Sequence, residues 1–173
     1  GAQAVGADGV DRRIDVIATA MRAGLKASDL IDLDLAYAPP YGQAKDPVNQ
    51  TGMVAHNVVT GELILTGPDA LTEDMPVLDV RTVGEYAAGH MPNSLNIPHT
   101  QLRDRLDEVR AWVETSVGDQ PFVVMCAAGV RSWIGYRIVR HAGFNVTMLS
   151  GGIQTLRAWL GEKADSVLVK GEG

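Results

Sequence analysis

The sequence predicts an α/β fold with a mainly parallel five-stranded sheet flanked by helices. From Glu62 onward, five short apolar runs follow one another along the chain, and helical stretches separate most of them. This alternation is typical of parallel strands joined by crossover helices, which pack on both faces of the sheet. The predicted strands are Leu63–Leu65, Val77–Val80, Leu95–Ile97, Phe122–Met125 and Val146–Leu149.

The helices of this region are predicted from their apolar spacing. Residues Leu102 to Thr115 and Ser132 to His141 give the clearer helical patterns. In a sheet of this kind, ligands bind beyond the carboxyl ends of the strands. We therefore expect a functional site at that edge of the sheet.

Upstream of Glu62 the pattern is different. Val10–Ala23 has apolar residues at helical spacing and ends at Gly24. Leu33–Tyr37 alternates like a strand and is stopped by a proline-containing turn. Asp46 and Pro47 are predicted as the N-cap and first residue of a helix that runs to about Val59.

Two regions are therefore predicted, residues 1–61 and residues 62–173. The first region is too short to bury much apolar surface by itself, because it offers one amphipathic helix face and one lone strand. We expect it to be the C-terminal piece of a larger domain, with further chain upstream.

Composition excludes several classes of function. The 173 residues carry a formal net charge of −6, with a pI near 5.1, which argues against nucleic acid and acidic membrane surfaces as partners. No transmembrane span or signal peptide is predicted. The single cysteine permits no intramolecular disulfide and favours the cytoplasm. The lone cysteine and four scattered histidines predict no metal site.

That single cysteine, Cys126, follows a predicted buried strand and precedes a predicted helix. A loop in this position turns backbone N–H groups toward the cysteine, and the helix N-terminus adds positive potential. Both effects lower a thiol pKa and favour the nucleophilic thiolate. Cys126 is the predicted catalytic residue. The predicted anion-binding loop consists of Ala127, Ala128, Gly129, Val130, Arg131 and Ser132.

Individual residues of this loop have expected roles. Gly129 is expected to take a positive φ, and Ser132 is expected to cap the helix. Arg131 is expected to face an anionic group of a substrate. The alternative is that Cys126 is an inert buried thiol, since free cysteines are often buried.

The motif Cys-x-x-Gly-x-Arg-Ser at residues 126–132 resembles the active-site loop of rhodanese-type sulfurtransferases. Three flanking segments agree with that family in order: Val77–Arg81 with Glu85 and Tyr86, then Gly89–Pro98, then Ser150–Ile153. The resemblance spans roughly residues 62–160. It implies a rhodanese-like fold and transfer of sulfane sulfur from thiosulfate, a persulfide or a polysulfide, through a persulfide on Cys126, to a thiol acceptor.

Two other readings of the motif remain. Cysteine-dependent phosphatases and arsenate reductases of the same fold have one more residue between cysteine and arginine. The interval from Cys126 to Arg131 is five residues here, so sulfur transfer is favoured. A non-catalytic docking or regulatory module is the other alternative, and the intact cysteine loop argues against it.

The segment Asp34–Asn49 resembles the C-terminal end of the dimerisation domain of pyridine nucleotide–disulfide reductases, especially coenzyme A disulfide reductases. This resemblance spans about residues 1–61. It implies a larger homodimeric flavoenzyme that uses FAD, NADH and coenzyme A and carries a fused rhodanese domain. The present chain is expected to bind none of these cofactors, since it has no Gly-x-Gly-x-x-Gly loop.

Five further residues are weaker candidates. Tyr37 and Tyr41 match reductase tyrosines that contact coenzyme A, or else pack beneath the proline turn. Asp79 and Arg81 either line the cysteine pocket or form a structural ion pair with Glu85. Trp133 directly follows the loop and is a candidate for shaping the pocket.

Overall fold

The structure is a computed structural model that describes residues 1–39 and 42–171. The chain divides into two compact units, Gly1–Leu63 and Ile64–Gly173. Among the described residues, no helix combines the length and apolar character needed to cross a bilayer.

The first unit contains α1 (Val10–Arg22), a 3₁₀ helix (Ala27–Asp32) and α2 (Pro47–Val59). The Asp46 side chain accepts a hydrogen bond from the Val48 N–H at 2.9 Å, so the predicted cap of α2 is confirmed. Such a cap stabilises a helix by roughly 1 kcal/mol. The small apolar core of this unit contains Ala20, Leu30 and Val48, with Val16, Ile17, Leu33 and Leu35 packed against it.

The prediction of a strand at Leu33–Tyr37 is wrong. No neighbouring strand lies beside this segment in the described part of the first unit. The Asn49 side-chain amide donates to the carbonyl oxygens of Leu30, in the 3₁₀ helix, and of Leu33, both at 3.0 Å. The Leu33 carbonyl, which a sheet would otherwise pair, is thereby satisfied by a side chain.

The second unit is built on a five-stranded parallel sheet in the order β1-β5-β4-β2-β3. The predicted fold class is thereby confirmed. The last two predicted strands match the observed bounds, whereas the first three shift by one or two residues. The strands are β1 (Leu65–Thr66), β2 (Val77–Asp79), β3 (Ser94–Asn96), β4 (Phe122–Met125) and β5 (Val146–Leu149).

Helices connect these strands and cover the sheet. The predicted helix Leu102–Thr115 is shorter than expected, because turns occupy its first residues and a π-helical turn (Val113–Val117) follows it. A short 3₁₀ turn, Gly161–Lys163, precedes the last helix. The helices are α3 (Val83–Ala87), α4 (Leu106–Trp112), α5 (Val130–His141), α6 (Gly152–Leu160) and α7 (Ala164–Val167).

The central strand β4 positions the cysteine. Every residue of β4 is buried, and β4 lies between β5 and β2. Burial of each large apolar side chain stabilises such a core by roughly 1.5–3 kcal/mol. Because the strands are parallel, their carboxyl ends share one edge, and Met125 lies opposite Asp79 there. Cys126 follows Met125 directly and so lies at the edge where the sequence predicts a site.

Candidate active site

The Cys126 sulfur lies inside a small cradle of hydrogen-bonding groups. The residue is buried, with 1% of its surface exposed. The backbone N–H of Gly129 donates to Sγ at 3.1 Å, and the Ser132 hydroxyl oxygen lies 3.4 Å from Sγ. That hydroxyl donates to the Gly129 carbonyl oxygen at 2.8 Å. Gly129 and Ser132 therefore fix the loop around the sulfur.

Backbone geometry places these donors. Gly129 has a φ of +121°, which side chains resist, and this agrees with its expected conformation. It is the N-cap of α5 and provides no side-chain cap. The expectation that Ser132 is the N-cap is wrong, because α5 already begins at Val130. Ser132 lies in the first turn instead, and from there its hydroxyl reaches back to the cysteine.

The surroundings of Cys126 lower its pKa from the ordinary value of 9.0. Burial alone raises the pKa of the thiol, because it disfavours the charged form. Hydrogen bonding to the Ser132 side chain and to the backbone of Gly129, Ser132 and Ala128 lowers the pKa and outweighs burial. The cradle therefore favours the thiolate, which is the nucleophilic form.

Helix α6 supports the loop from the other side. The N–H of Ile153 donates to the Cys126 carbonyl oxygen at 2.9 Å, and the N–H of Gln154 donates to that of Ala127 at 3.1 Å. A Cβ atom at Gly152 would lie 2.6 Å from both carbonyl oxygens, and its φ is +63°. Glycine at residue 152 is thus required for the close approach of α6 to the loop.

Arg131 does not point an unpaired charge at the sulfur. Its guanidinium donates to both carboxylate oxygens of Glu85, each at 2.7 Å. The hydrogen bond from Arg131 lowers the pKa of Glu85 to about 2, against a smaller effect of burial. The Thr82 backbone N–H and hydroxyl also donate to Glu85. The expected open anion contact at Arg131 is therefore occupied by a carboxylate.

Asp79 and Arg81 pair with each other beneath this edge. The Arg81 guanidinium donates to the Asp79 carboxylate at 2.5–3.0 Å and to the Gly89 carbonyl oxygen at 2.9 Å. Both residues are buried, at 0% and 4% exposure. The expected pairing with Glu85 is wrong, because Glu85 lies against Arg131. The guanidinium bonds of Arg81 thus run to Asp79 and to the backbone of Gly89.

The remaining predicted residues are distributed as follows. Ala127 is half-buried and Ala128 is exposed, so small side chains line the loop. Val130 is 76% exposed at the start of α5. Trp133 is half-buried and stacks on Tyr136, with ring centroids 5.9 Å apart. Tyr37 is exposed in the first unit. Tyr41 lies outside the described residues.

Sequence reasoning missed the partner of Arg131. Thr82 and Glu85 have the spacing of a capping box, Thr-x-x-Glu, which predicts only the start of α3. Glu85 pairs with Arg131, which is 46 positions away in the sequence. This pairing depends on the order of the strands in the sheet, and a local sequence pattern does not reveal that order. Among the described residues, no cluster of three His, Cys, Asp or Glu side chains forms a metal site.

The second unit is an α/β domain whose parallel sheet carries a hydrogen-bonded cysteine loop at the carboxyl ends of its strands. It therefore belongs to the class of α/β domains with a cysteine at the candidate active site. The family model of the rhodanese-like domain matches residues 67–158, more than half of the chain. The chain therefore belongs to the rhodanese-like domain family, as its motifs predict.

Comparisons also link the chain to larger reductases. It is 47% identical over 57 residues to a coenzyme A disulfide reductase of Staphylococcus haemolyticus, which covers 33% of this chain and 13% of that protein. The structure of reduced Bacillus anthracis CoADR-RHD matches 94% of this chain and 28% of its own, with 37% identity and a TM-score of 0.82. The structure of a NAD-dependent persulfide reductase from A. fulgidus matches 86% of this chain and 26% of its own, with 42% identity and a TM-score of 0.74.

These relatives are much longer than the matched region. The chain spans 13% of the staphylococcal reductase and about a quarter of the two solved reductase chains. The sequence of residues 34–49 predicted a similarity to coenzyme A disulfide reductases, and the comparisons of this chain with known proteins confirm that similarity.

Proposed function

We propose that this chain is a sulfurtransferase that carries sulfane sulfur as a persulfide on Cys126. The observation that carries the proposal is the cradle around Sγ, formed by the Gly129 N–H and the Ser132 hydroxyl. It holds a reactive sulfur at the carboxyl edge of the sheet and lowers its pKa. Membership of the rhodanese-like family supports the same chemistry.

The first half-reaction moves one sulfur atom. The Cys126 thiolate attacks the outer sulfur of a persulfide anion, R–S–S⁻, and a new S–S bond forms as the donor's S–S bond breaks. The products are the Cys126 persulfide anion and the thiolate R–S⁻, so charge and electrons balance without an oxidant. With thiosulfate as donor, sulfite is the leaving group. Since the thiol pKa is already lowered, no separate general base is required.

The second half-reaction regenerates the enzyme. An acceptor thiolate attacks the terminal sulfur of the persulfide and departs with it, which leaves the Cys126 thiolate. Between the two steps, hydrogen-bond donors of residues 127–132 stabilise the negative terminal sulfur, as an oxyanion hole stabilises oxygen. While Cys126 is a thiol, it donates to the Ser132 hydroxyl oxygen, and that hydroxyl donates to the Gly129 carbonyl oxygen. The Ser132 hydroxyl becomes a donor to the sulfur when it rotates toward the thiolate or persulfide anion.

The charge around the loop supports a proposal about the class of sulfur donor. Thiosulfate is a dianion and needs an available cation, but Glu85 already neutralises Arg131. A thiol persulfide presents less charge at the reacting end. We therefore propose persulfides of thiols, coenzyme A persulfide among them, as better donors than thiosulfate.

We also propose that the domain works within a larger flavin-dependent reductase. The similarity to coenzyme A disulfide reductases and to a persulfide reductase supports this setting. The 173 residues carry no Gly-x-Gly-x-x-Gly loop, so we assign FAD and NADH to other domains. In this setting the larger protein reduces persulfides with NADH, acts as a homodimer and resides in the cytoplasm.

Residues 1–61 are proposed as part of the dimerisation domain of that reductase. Tyr37 has an exposed side chain, as a contact to a coenzyme A moiety in the assembled protein requires. Tyr41 is the second candidate from the same motif. Residues 62–173 are the proposed sulfurtransferase domain.

Steady-state kinetics test the transfer mechanism. With coenzyme A persulfide as donor and a small thiol as acceptor, a covalent sulfur carrier gives parallel lines in double-reciprocal plots. Cys126→Ser should abolish turnover, whereas Ser166→Ala, an exposed hydroxyl change outside the loop, should not. Intersecting lines, or turnover by the Cys126→Ser variant, would contradict a persulfide on Cys126.

A further inference from the structure

A basic cleft lies along helix α5 and is separate from the cysteine cradle. Its volume is about 340 Å³, within the range of small-molecule sites. It combines three basic side chains with an aromatic ring and aliphatic groups. The lining residues are Arg103, Trp133, Ile134, Arg137, Ile138 and His141.

The basic groups of this cleft are available to a ligand. Arg103, Arg137 and His141 are exposed, and within the described residues none of the three has a carboxylate partner. By contrast, Arg81 and Arg131 are each held by an acidic side chain. An arginine without a carboxylate partner can pair with phosphate oxygens through two parallel hydrogen bonds.

An aromatic platform adjoins these charges. Trp133 is half-buried, and the Arg137 guanidinium carbon lies 5.6 Å from the centroid of its ring. Indole rings and guanidinium planes both stack on nucleobases. The cleft therefore offers stacking for a base beside cations for phosphates, which is the chemistry that binds a phosphorylated nucleoside, such as the adenosine of coenzyme A.

One face of α5 leads from the cysteine loop to the cleft. Residues 130, 134, 137 and 141 follow one another at spacings of three or four, so they lie on one stripe of the helix, and residue 138 borders that stripe. Val130 adjoins the loop and is 76% exposed, and Ile134 is 42% exposed. From Val130 to Arg137 the helix rises about 10 Å. A flexible aliphatic arm can cover this distance over an apolar surface.

We propose that this cleft binds the phosphorylated adenosine of a nucleotide-bearing thiol, such as coenzyme A, while the arm of that thiol follows Val130 and Ile134 to Cys126. The inference rests on the proposed sulfur transfer and names the part of the donor that gives specificity. Arg103 and Arg137 pair with phosphate groups, and Trp133 stacks with the base.

Two donors separate this inference from the transfer chemistry. Coenzyme A persulfide and pantetheine persulfide share the reacting end, but only the first carries the nucleotide. The unaltered chain should use coenzyme A persulfide with kcat/KM about tenfold or more above that of pantetheine persulfide, as expected for two charge-assisted contacts. Adenosine 3′,5′-bisphosphate should inhibit the first reaction competitively and leave the second unchanged.

Charge reversal locates the effect. Arg103→Glu with Arg137→Glu should reduce the preference for coenzyme A persulfide to about onefold through a higher KM, whereas Lys163→Glu, an exposed cation outside the cleft, should retain it. Competition by adenosine 3′,5′-bisphosphate is measured on the unaltered chain. It therefore tests whether the nucleotide part of the donor binds even if the double variant fails to fold.

The outcomes are distinguishable. Equal use of both persulfides by the unaltered chain, or a preference that survives charge reversal in a folded variant, would overturn the assignment of the cleft. Bisphosphate that binds the cleft without inhibiting transfer would also overturn it, because the cleft would then hold a free nucleotide. Absence of sulfur on Cys126 with either donor would instead refute the proposed function itself.

Discussion

The cysteine loop has a buried floor and an open rim, and each contains one carboxylate–arginine pair. The floor consists of Asp79, Arg81 and Gly152, and the rim consists of Glu85 and Arg131. In the floor pair the side chains are 0% and 5% exposed, and in the rim pair they are 37% and 26% exposed. The buried Asp79–Arg81 pair therefore stabilises the fold, whereas the partly exposed Glu85–Arg131 pair determines the net charge beside the cysteine loop.

The largest effect is expected from breaking the floor pair. Arg81→Ala leaves the buried Asp79 carboxylate without its partner and should lower the free energy of unfolding by about 3–5 kcal/mol. Denaturant unfolding of the variant and the unaltered chain measures this difference. Arg105→Ala, which breaks an exposed pair with Glu108, is the control and should cost about 1 kcal/mol or less. Equal losses for the two variants would contradict a structural role of the floor.

The backbone part of the floor can be tested at Gly152. Gly152→Ala places a Cβ against two loop carbonyl oxygens in addition to its positive φ, and it should cost about 2–5 kcal/mol. Gly143→Ala is the matched control, because Gly143 has a φ of +90° and open space around a Cβ. The control should cost about 1–2 kcal/mol. The prediction fails if the two alanine variants unfold at the same denaturant concentration.

Between floor and rim, the Ser132 hydroxyl should determine how reactive Cys126 is. Ser132→Ala removes a hydrogen bond that lowers the thiol pKa, so the pKa should rise and less thiolate should exist at neutral pH. Alkylation by iodoacetamide at pH 7 should slow by roughly three- to tenfold, with the rate profile moved to higher pH. If the pH profile of alkylation were unchanged in the Ser132→Ala variant, the prediction would be wrong, and other groups would be responsible for the lowered pKa of Cys126.

A change at the rim should alter donor preference more than stability. Glu85→Gln releases the charge of Arg131, and thiosulfate should then gain roughly fivefold in kcat/KM, as about 1 kcal/mol of attraction near water provides. Asp165→Asn removes the same charge from an exposed pair outside the loop and should change nothing. A fall in thiosulfate transfer by the Glu85 variant would show that Glu85 orients Arg131 productively.

The smallest effect is the pH dependence of the rim pair. Glu85 has a pKa of about 2 in the folded chain and ordinarily 4.5. The pair therefore stabilises the fold above about pH 4.5, and this contribution is lost as pH falls toward 2. Because both side chains are partly exposed, the loss should be about 1 kcal/mol or less. Acid unfolding of the Glu85→Gln variant should lack this component.

The sequence predicted those parts of the site that depend on local pattern, and it did not predict those that depend on long-range packing. The apolar runs Val77–Val80 and Phe122–Met125 predicted two strands, and their shared parallel edge followed from the alternating pattern. Gly129 was predicted correctly because a tight loop before a helix calls for a positive φ. These features depend on local pattern and backbone sterics.

Features that depend on long-range packing could not be predicted. The pairing of Glu85 with Arg131 joins residues 46 positions apart, and only the order of β2 beside β4 brings α3 near the loop. Leu33–Tyr37 has the alternation of a strand, but Asn49 satisfies its neighbouring carbonyl groups instead. Ser132 resembles a cap by composition, yet the helix begins two residues earlier at Val130.

The most direct test of the account is the mass of the peptide that contains Cys126 after the unaltered chain has been incubated with coenzyme A persulfide or with thiosulfate. We predict that coenzyme A persulfide adds one sulfur atom to Cys126 and that thiosulfate adds it more slowly. Addition of an acceptor thiol should then restore the original mass. A peptide that gains no sulfur from either donor would contradict the sulfur-carrier function and would favour a docking role for this domain.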